Sequence, residues 1–114
     1  MTLVDALPNN IAGRKIGDQL LRAATSVGAN YRAACRSRSQ REFIAKIGIV
    51  EEEADESGYW MELIIEGKLL HPKLVLPLHD EAQQICRIMA KSRLTASRSL
   101  GAANNRQSAI GNRQ

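Results

Sequence analysis

Apolar residues recur along this chain at helical rather than strand spacing, in three long stretches and one short one. The longest runs from Ser39 to Gly67 without a proline. Stepped at 100° per residue from Phe43, the residues Phe43, Ile47, Val50, Ala54, Met61 and Ile65 fall within about 40° of one line, the stripe of a core-facing helix. Ser39-Gln40-Arg41-Glu42 opens the stretch as a capping box: the Ser39 hydroxyl can accept the N–H of Glu42 while Glu42 reaches back. Gly67 closes it, being the residue type that best tolerates a left-handed helix ending. The spacing predicts a helical rod of about 40 Å at 1.5 Å per residue.

A second helix is predicted from Ile11 or Arg14 to Cys35, with Asn10 as its N-cap and Gly13 and Gly17 weakening its first turns. Ile16, Leu20, Ala24, Val27, Tyr31 and Ala34 share its core side. Arg14, Lys15, Arg22, Arg32 and Arg36 gather on about 100° of the opposite side. Gln19, Ser26 and Asn30 form a polar edge between the two sides, suited to hydrogen bonds across helices or to a helix end. Arg36-Ser37-Arg38 makes a short connection to Ser39.

The two flanks are plainer. Leu3, Val4 and Leu7 repeat at helical spacing before Pro8-Asn9-Asn10, a segment too short for an independent helix. After Gly67, residues 68–76 read as a connection, and Pro77 suits the first turn of a last helix with Asp80 and Glu81 near its positive end. Leu78, Ala82, Ile85 and Met89 form that helix's core stripe, and Ile88 widens it. From Ser99 onward Gly, Asn, Gln, Ser and Arg dominate, which predicts a disordered tail. Residues 1–98 are thus expected to form one helical domain and residues 99–114 the tail.

Charge is segregated along the 114 residues. Residues 1–46 carry eight Lys/Arg against three Asp/Glu, residues 47–70 one against seven, and residues 71–114 seven against two. Such blocks can attract one another within the fold or leave basic faces free for phosphates. Aromatic residues make up only 4% of the chain, so the core must be aliphatic, which suits helices. The start of the chain holds Asp5 and Pro8 where a signal peptide needs an unbroken apolar run, and no apolar run is long enough to span a membrane. Cys35 and Cys86 make no Cys-x-x-Cys pair and read as small reduced core residues. The expected setting is cytoplasmic, with no membrane partner.

Candidate chemistry is sparse. Di-iron bundles use Glu-x-x-His, but Lys68 and Leu76 stand three residues before His71 and His79. Glu52, Glu53, Asp55 and Glu56 read as a charged helix surface, since a carboxylate cage needs ligands from several segments. No His neighbours Cys35 in sequence, and Gly13 and Gly17 lack the strand-turn-helix context of a phosphate loop. No catalytic residue, metal site or cofactor is therefore nominated. The candidate nucleic-acid-binding residues are Arg14, Lys15, Arg22, Arg32, Arg36, Arg38 and Arg41, a row of cations able to track a phosphate backbone. The competing account pairs those cations with the acidic third helix. No aromatic residue interleaves with them, so stacking on bases is not indicated. Trp60 lies about 100° off the core stripe beside Ile49, Glu53 and Glu56, which makes these four residues a candidate subunit interface or, within one chain, a cover for the bundle's edge.

Two runs carry a family resemblance. The first is Gln19-Leu20-Leu21-Arg22-Ala23-Ala24-Thr25-Ser26-Val27-Gly28-Ala29-Asn30-Tyr31-Arg32. The second is Ser39-x-x-Glu42-Phe43-Ile44-x-Lys46, continuing into Glu52-Glu53-Ala54-x-Glu56-x-x-Tyr59-Trp60. Together they resemble the bacterial four helix bundle proteins, also called S23 or 23S rRNA intervening-sequence proteins, and are similar to the accessory variability determinants of diversity-generating retroelements. The likeness spans roughly Leu3 to Ser97. It implies an all-α, up-down four-helix bundle, a homo-oligomer of the ring-like pentameric kind, and no established catalysis. RNA or DNA and a reverse transcriptase are the partners implied by the retroelement relatives. The family begins with a full helix before the Pro that Pro8 matches, whereas Thr2 to Leu7 stand in its place here. That difference implies a truncated first helix or a start further upstream, and a bundle groove left partly uncovered.

These readings converge on three long helices with a remnant of a fourth, in a non-catalytic oligomer of the intervening-sequence type that binds nucleic acid through its basic helix face. The alternative is a structural module that acts through protein partners, among them a reverse transcriptase.

Overall fold

The computed structural model describes residues 2–111. It is all-helical among those residues, with the elements α1 (Thr2–Asp5), α2 (Ile11–Cys35), α3 (Gln40–Glu66) and α4 (Pro72–Gly111). The expected caps are in place. The Asn10 side chain accepts from the Gly13 N–H at 2.8 Å, and the Ser39 hydroxyl accepts from the Glu42 N–H at 3.0 Å. Glu42 reaches back one residue beyond its cap, accepting the Arg38 N–H at 3.2 Å.

Three details depart from the sequence reading. Gly67 ends α3 at φ −79°, and the left-handed residue is Lys68, at φ 55°. Leu69 N–H donates to Ile64 and Lys68 N–H to Ile65, each at 3.0 Å, the paired bonds of a Schellman ending. Secondly, α4 starts at Pro72, and Pro77 lies inside it. Pro72 takes the first-turn place expected of Pro77, because the His71 imidazole caps it: Nδ1 accepts the Lys73 N–H at 3.0 Å. Thirdly, of the stretch 99–114 expected as a tail, residues 99–111 continue α4 as helix, exposed throughout residues 101–107, and residues 112–114 lie outside the described residues.

Packing explains the order of the helices. α3 lies in the middle, against α2 on one side and α4 on the other, and the main packing runs through it rather than between α2 and α4. A central helix must bury a wide arc, and α3 does: Ile47, Val50, Ala54, Ser57, Gly58, Met61 and Ile64 are all buried. Leu20, Met61, Ile64, Val75 and Ala82 form the core cluster, with Leu3, Val4, Leu7, Ile16, Trp60, Leu69 and Leu70 packed around it. Ser57, the one buried polar side chain among the described residues, is satisfied by donating its hydroxyl to the Glu53 carbonyl at 2.8 Å.

The glycines at the start of α2 do more than weaken it. A Cβ on Gly13 would stand 2.0 Å from the Pro8 carbonyl oxygen, and one on Gly17 would press on Leu7 at 3.1 Å. Their bare backbone lets the N-terminal segment fold down onto α2. Cys86 is half-buried, whereas Cys35 is exposed at the end of α2, not in the core.

A basic corner and an open trough

The α2–α3 connection is stiffened from both sides. Arg36 N–H donates to Ala33 and Ala34, Ser37 N–H donates to Ala34 at 3.1 Å, and the Ser39 cap starts the next helix. With the backbone so occupied, Arg32, Arg36, Arg38 and Arg41 project into solvent from a single corner. Cations there also suit the negative end of α2. α4 passes this corner, tied by Gln40 Nε2 donating to the Ala96 carbonyl at 3.2 Å. Beyond that tie a shallow hollow separates Arg41, Ile44 and Ala45 from Ser97, Leu100, Gly101 and Asn104.

The seven cations singled out from the sequence have different fates. Among the described residues only the Arg22 side chain pairs with carboxylates, with Glu53 at 3.3 Å and with Glu56 at closer range. That hydrogen bond holds the Glu56 carboxyl below its ordinary range, against the opposing effect of burial and with help from the Trp60 indole. Arg14 donates to the Asn9 side-chain oxygen at 3.0 Å. Lys15, Arg32, Arg36, Arg38 and Arg41 are exposed, with no ion pair to their side chains among the described residues.

The candidate interface residues are engaged within one chain. Trp60 donates to Glu56 at 3.3 Å, meets Tyr59 edge-on at 5.0 Å between centroids, and packs on the core cluster. Ile49 is half-buried on the same side of α3, three turns before Trp60. The polar edge bonds along α2 rather than across helices: Asn30 donates to the Ser26 carbonyl and hydroxyl, and Gln19 accepts from Arg22. Across α3 and α4, Arg93 grips Glu51 at 2.7 Å, and that bond pushes its basicity further up. His79 lies over Gly58 and 3.4 Å from Glu62. Burial raises the Cys86 thiol, whose nearest acceptor is the Glu51 carbonyl. No three His, Cys, Asp or Glu side chains among the described residues converge on a possible metal position. None of the described helices is long and apolar enough to cross a membrane.

A trough runs between α2 and α4 over α3, whose floor residues stay buried. It encloses about 340 Å³. Leu20, Ala24 and Val27 form one wall, Leu78 and Ile85 the other, and Ala54 and Met61 the floor. Leu3 and Val4 of α1 close one end. On α4, Leu78 of the trough wall is 43% exposed, and Leu74 and Ile88, on the same side of the helix but outside the trough lining, are 59% and 56% exposed.

Sequence reading found the corner but missed the end of α4. Its signal was available: no Asp or Glu follows Glu81, while Arg87, Lys91, Arg93, Arg98, Arg106 and Arg113 do.

The family model for the 23S rRNA-intervening sequence protein matches residues 1–91. Among solved structures, the chain is similar to a protein of unknown function from the S23 ribosomal protein family of Bacteroides thetaiotaomicron VPI-5482. The two are 31% identical, with a TM-score of 0.66, over 68% of this chain and 72% of that one. No curated protein matches the sequence. With its central α3, its two flanking helices and its matched residues, this chain belongs to the 23S rRNA-intervening sequence protein family.

Proposed function

We propose that this protein is a non-catalytic, cytoplasmic scaffold that binds nucleic acid through the basic corner at the α2–α3 turn. One observation carries the reading: of the seven candidate cations, carboxylates among the described residues neutralise only Arg22, so the corner keeps its charge for an outside partner. Phosphate contacts of this kind give affinity that falls steeply with salt. The test is fluorescence anisotropy of the full chain with structured RNA and duplex DNA over a salt series. Arg36→Glu with Arg38→Glu is expected to weaken binding roughly 100-fold at 0.1 M salt. Arg22→Gln is expected to change little, since that guanidinium is already engaged. Undiminished binding by the corner variant overturns the reading.

The trough favours a second reading, a protein-interaction module that self-associates. Leu74, Leu78 and Ile88 give a lone chain an exposed apolar row that a second copy's row would cover. Leu78→Glu then lowers the mass seen by light scattering without loss of helicity. An unchanged mass removes this reading.

A further inference from the structure

The free end of α4 has no structural task inside the chain. Its last hydrogen bond to the body among the described residues is Gln40–Ala96, Leu100 is half-buried beside the hollow that Ile44 and Ala45 line, and every residue from Gly101 to Gln107 is exposed. From Gly101 onward the helix buries no side chain to Gln107, and such a helix is marginal in water, so its sequence must be read for what else it suits. It does not suit a protein core: between Leu100 and Gln107 there is no large apolar residue. It does suit a polyanion. From Ala82 to the last residue the chain has no acidic side chain, and residues 92–111 lie beyond the family match.

The arrangement around this helix is specific. Ser97, Leu100, Gly101 and Asn104 line the hollow towards Arg41. At 100° per residue, Lys91, Thr95, Arg98, Ala102, Asn105 and Arg106 fall on the opposite face, within about 120° of arc. That face offers Arg and Asn, the two side chains able to bond a guanine or an adenine edge bidentately, with Ala102 between them to permit close approach. A bare helix about 10–12 Å across matches the major groove of B-form DNA, about 12 Å wide. The deep, narrow major groove of A-form RNA does not admit it.

Resting on the nucleic-acid reading above, we propose that residues 98–107 form a DNA-reading helix that lies in the major groove of duplex DNA. Arg98, Asn105 and Arg106 meet base edges, and Arg36, Arg38 and Arg41 at its root hold the bordering phosphates. The partner is duplex DNA rather than duplex RNA or a single strand.

The experiment measures binding of the full chain to a mixed-sequence 20-base-pair DNA duplex, the same duplex in RNA, and the single DNA strand (probe length chosen for about two helical turns). Circular dichroism is recorded alongside. The expected results are preference for duplex DNA, a rise in helicity on adding it, and a loss of about tenfold for Arg98→Gln with Asn105→Ala, the scale of one bidentate base contact. These positions are exposed, so the variant keeps its fold. Equal affinity for the DNA and RNA duplexes, or an unchanged affinity in the α4 variant, overturns the inference. If the corner variant fails while the α4 variant binds normally, the corner reading stands and this inference falls. If the unmodified chain binds none of the three, both fall.

Discussion

The two ends of this molecule are built on opposite terms. At the closed end the chain reverses twice in tight quarters, and nearly every group has an internal partner. Pro8 lies on Gly13, Leu7 on Gly17, Leu69 on Ile64, and the His71 ring caps α4. At the other end there is a single turn, its four arginines have no ion pair among the described residues, and α4 runs past it with every residue from Gly101 to Gln107 exposed. The extent of 68 Å against a cross-section of 20 × 18 Å keeps the two apart. Stability should therefore be set by small changes at the closed end, and binding by charge at the other, with little exchange between them.

The hardest blow to that division would come from Gly13. A Cβ there overlaps a backbone oxygen, which cannot swing aside as a side chain can. Gly13→Ala should cost about 3 kcal/mol in urea unfolding, the upper range of overpacking. At equal folded concentration it should leave nucleic-acid affinity unchanged. A loss of affinity without a loss of stability would mean that the ends are not separable.

How much of this was legible beforehand depends on whether a residue answers to its own helix or to a neighbour. Ser39 and Asn10 answer to their own helix, and both caps stand as read. The α3 stripe was legible too: Ile47 and Met61 are 2% and 4% exposed. A helical wheel gives an apolar side without saying what covers it, however. Tyr31 and Leu78 sit on the expected core sides yet are 49% and 43% exposed; Leu78 faces the trough, which no helix of the described residues fills. Ile64 was missed for the converse reason: α3 is flanked twice, so its apolar arc extends beyond the stripe. The α4 start was misplaced because a histidine cap has no strong sequence signature beside two prolines. Gly13's role depends on where the Pro8 carbonyl goes, and spacing within α2 carries no trace of it. At the candidate site, the corner cations were legible as a row, but their partners were not. Only the fold could separate Arg22, which faces Glu53 and Glu56, from Arg36 and Arg41, which face water.

A gentler change sharpens the comparison from the other direction. Lys68 holds a left-handed conformation that costs a side-chain-bearing residue roughly 1 kcal/mol. Gly in that position relieves the strain at some cost in unfolded-chain entropy, so Lys68→Gly should stabilise by about 0.5 kcal/mol. The Schellman bonds from Lys68 and Leu69 use backbone N–H groups and are kept. Thermal unfolding would register a small rise in Tm, and a fall would show that the Lys68 side chain does something beyond enduring its backbone.

The smallest effect belongs to the clasp between the ends, where Arg22 bridges α2 to Glu53 and Glu56 on α3. Glu56 has its pKa lowered, chiefly by the Arg22 hydrogen bond and then, against the pull of burial, by Trp60. A carboxyl lowered in the folded state stabilises the fold above its unfolded pKa, about 4.3 for Glu, and loses that contribution as pH falls through the folded value. Arg22→Gln should therefore lower Tm slightly at pH 7, and the gap from the parent should close as the pH drops below about 4. The guanidinium is half-exposed, so added salt should narrow the gap at pH 7 as well. A gap that persists at pH 3 would assign the loss to the packing of the Arg22 stem rather than to its charge. The clasp would then be one more apolar contact, like those at the closed end.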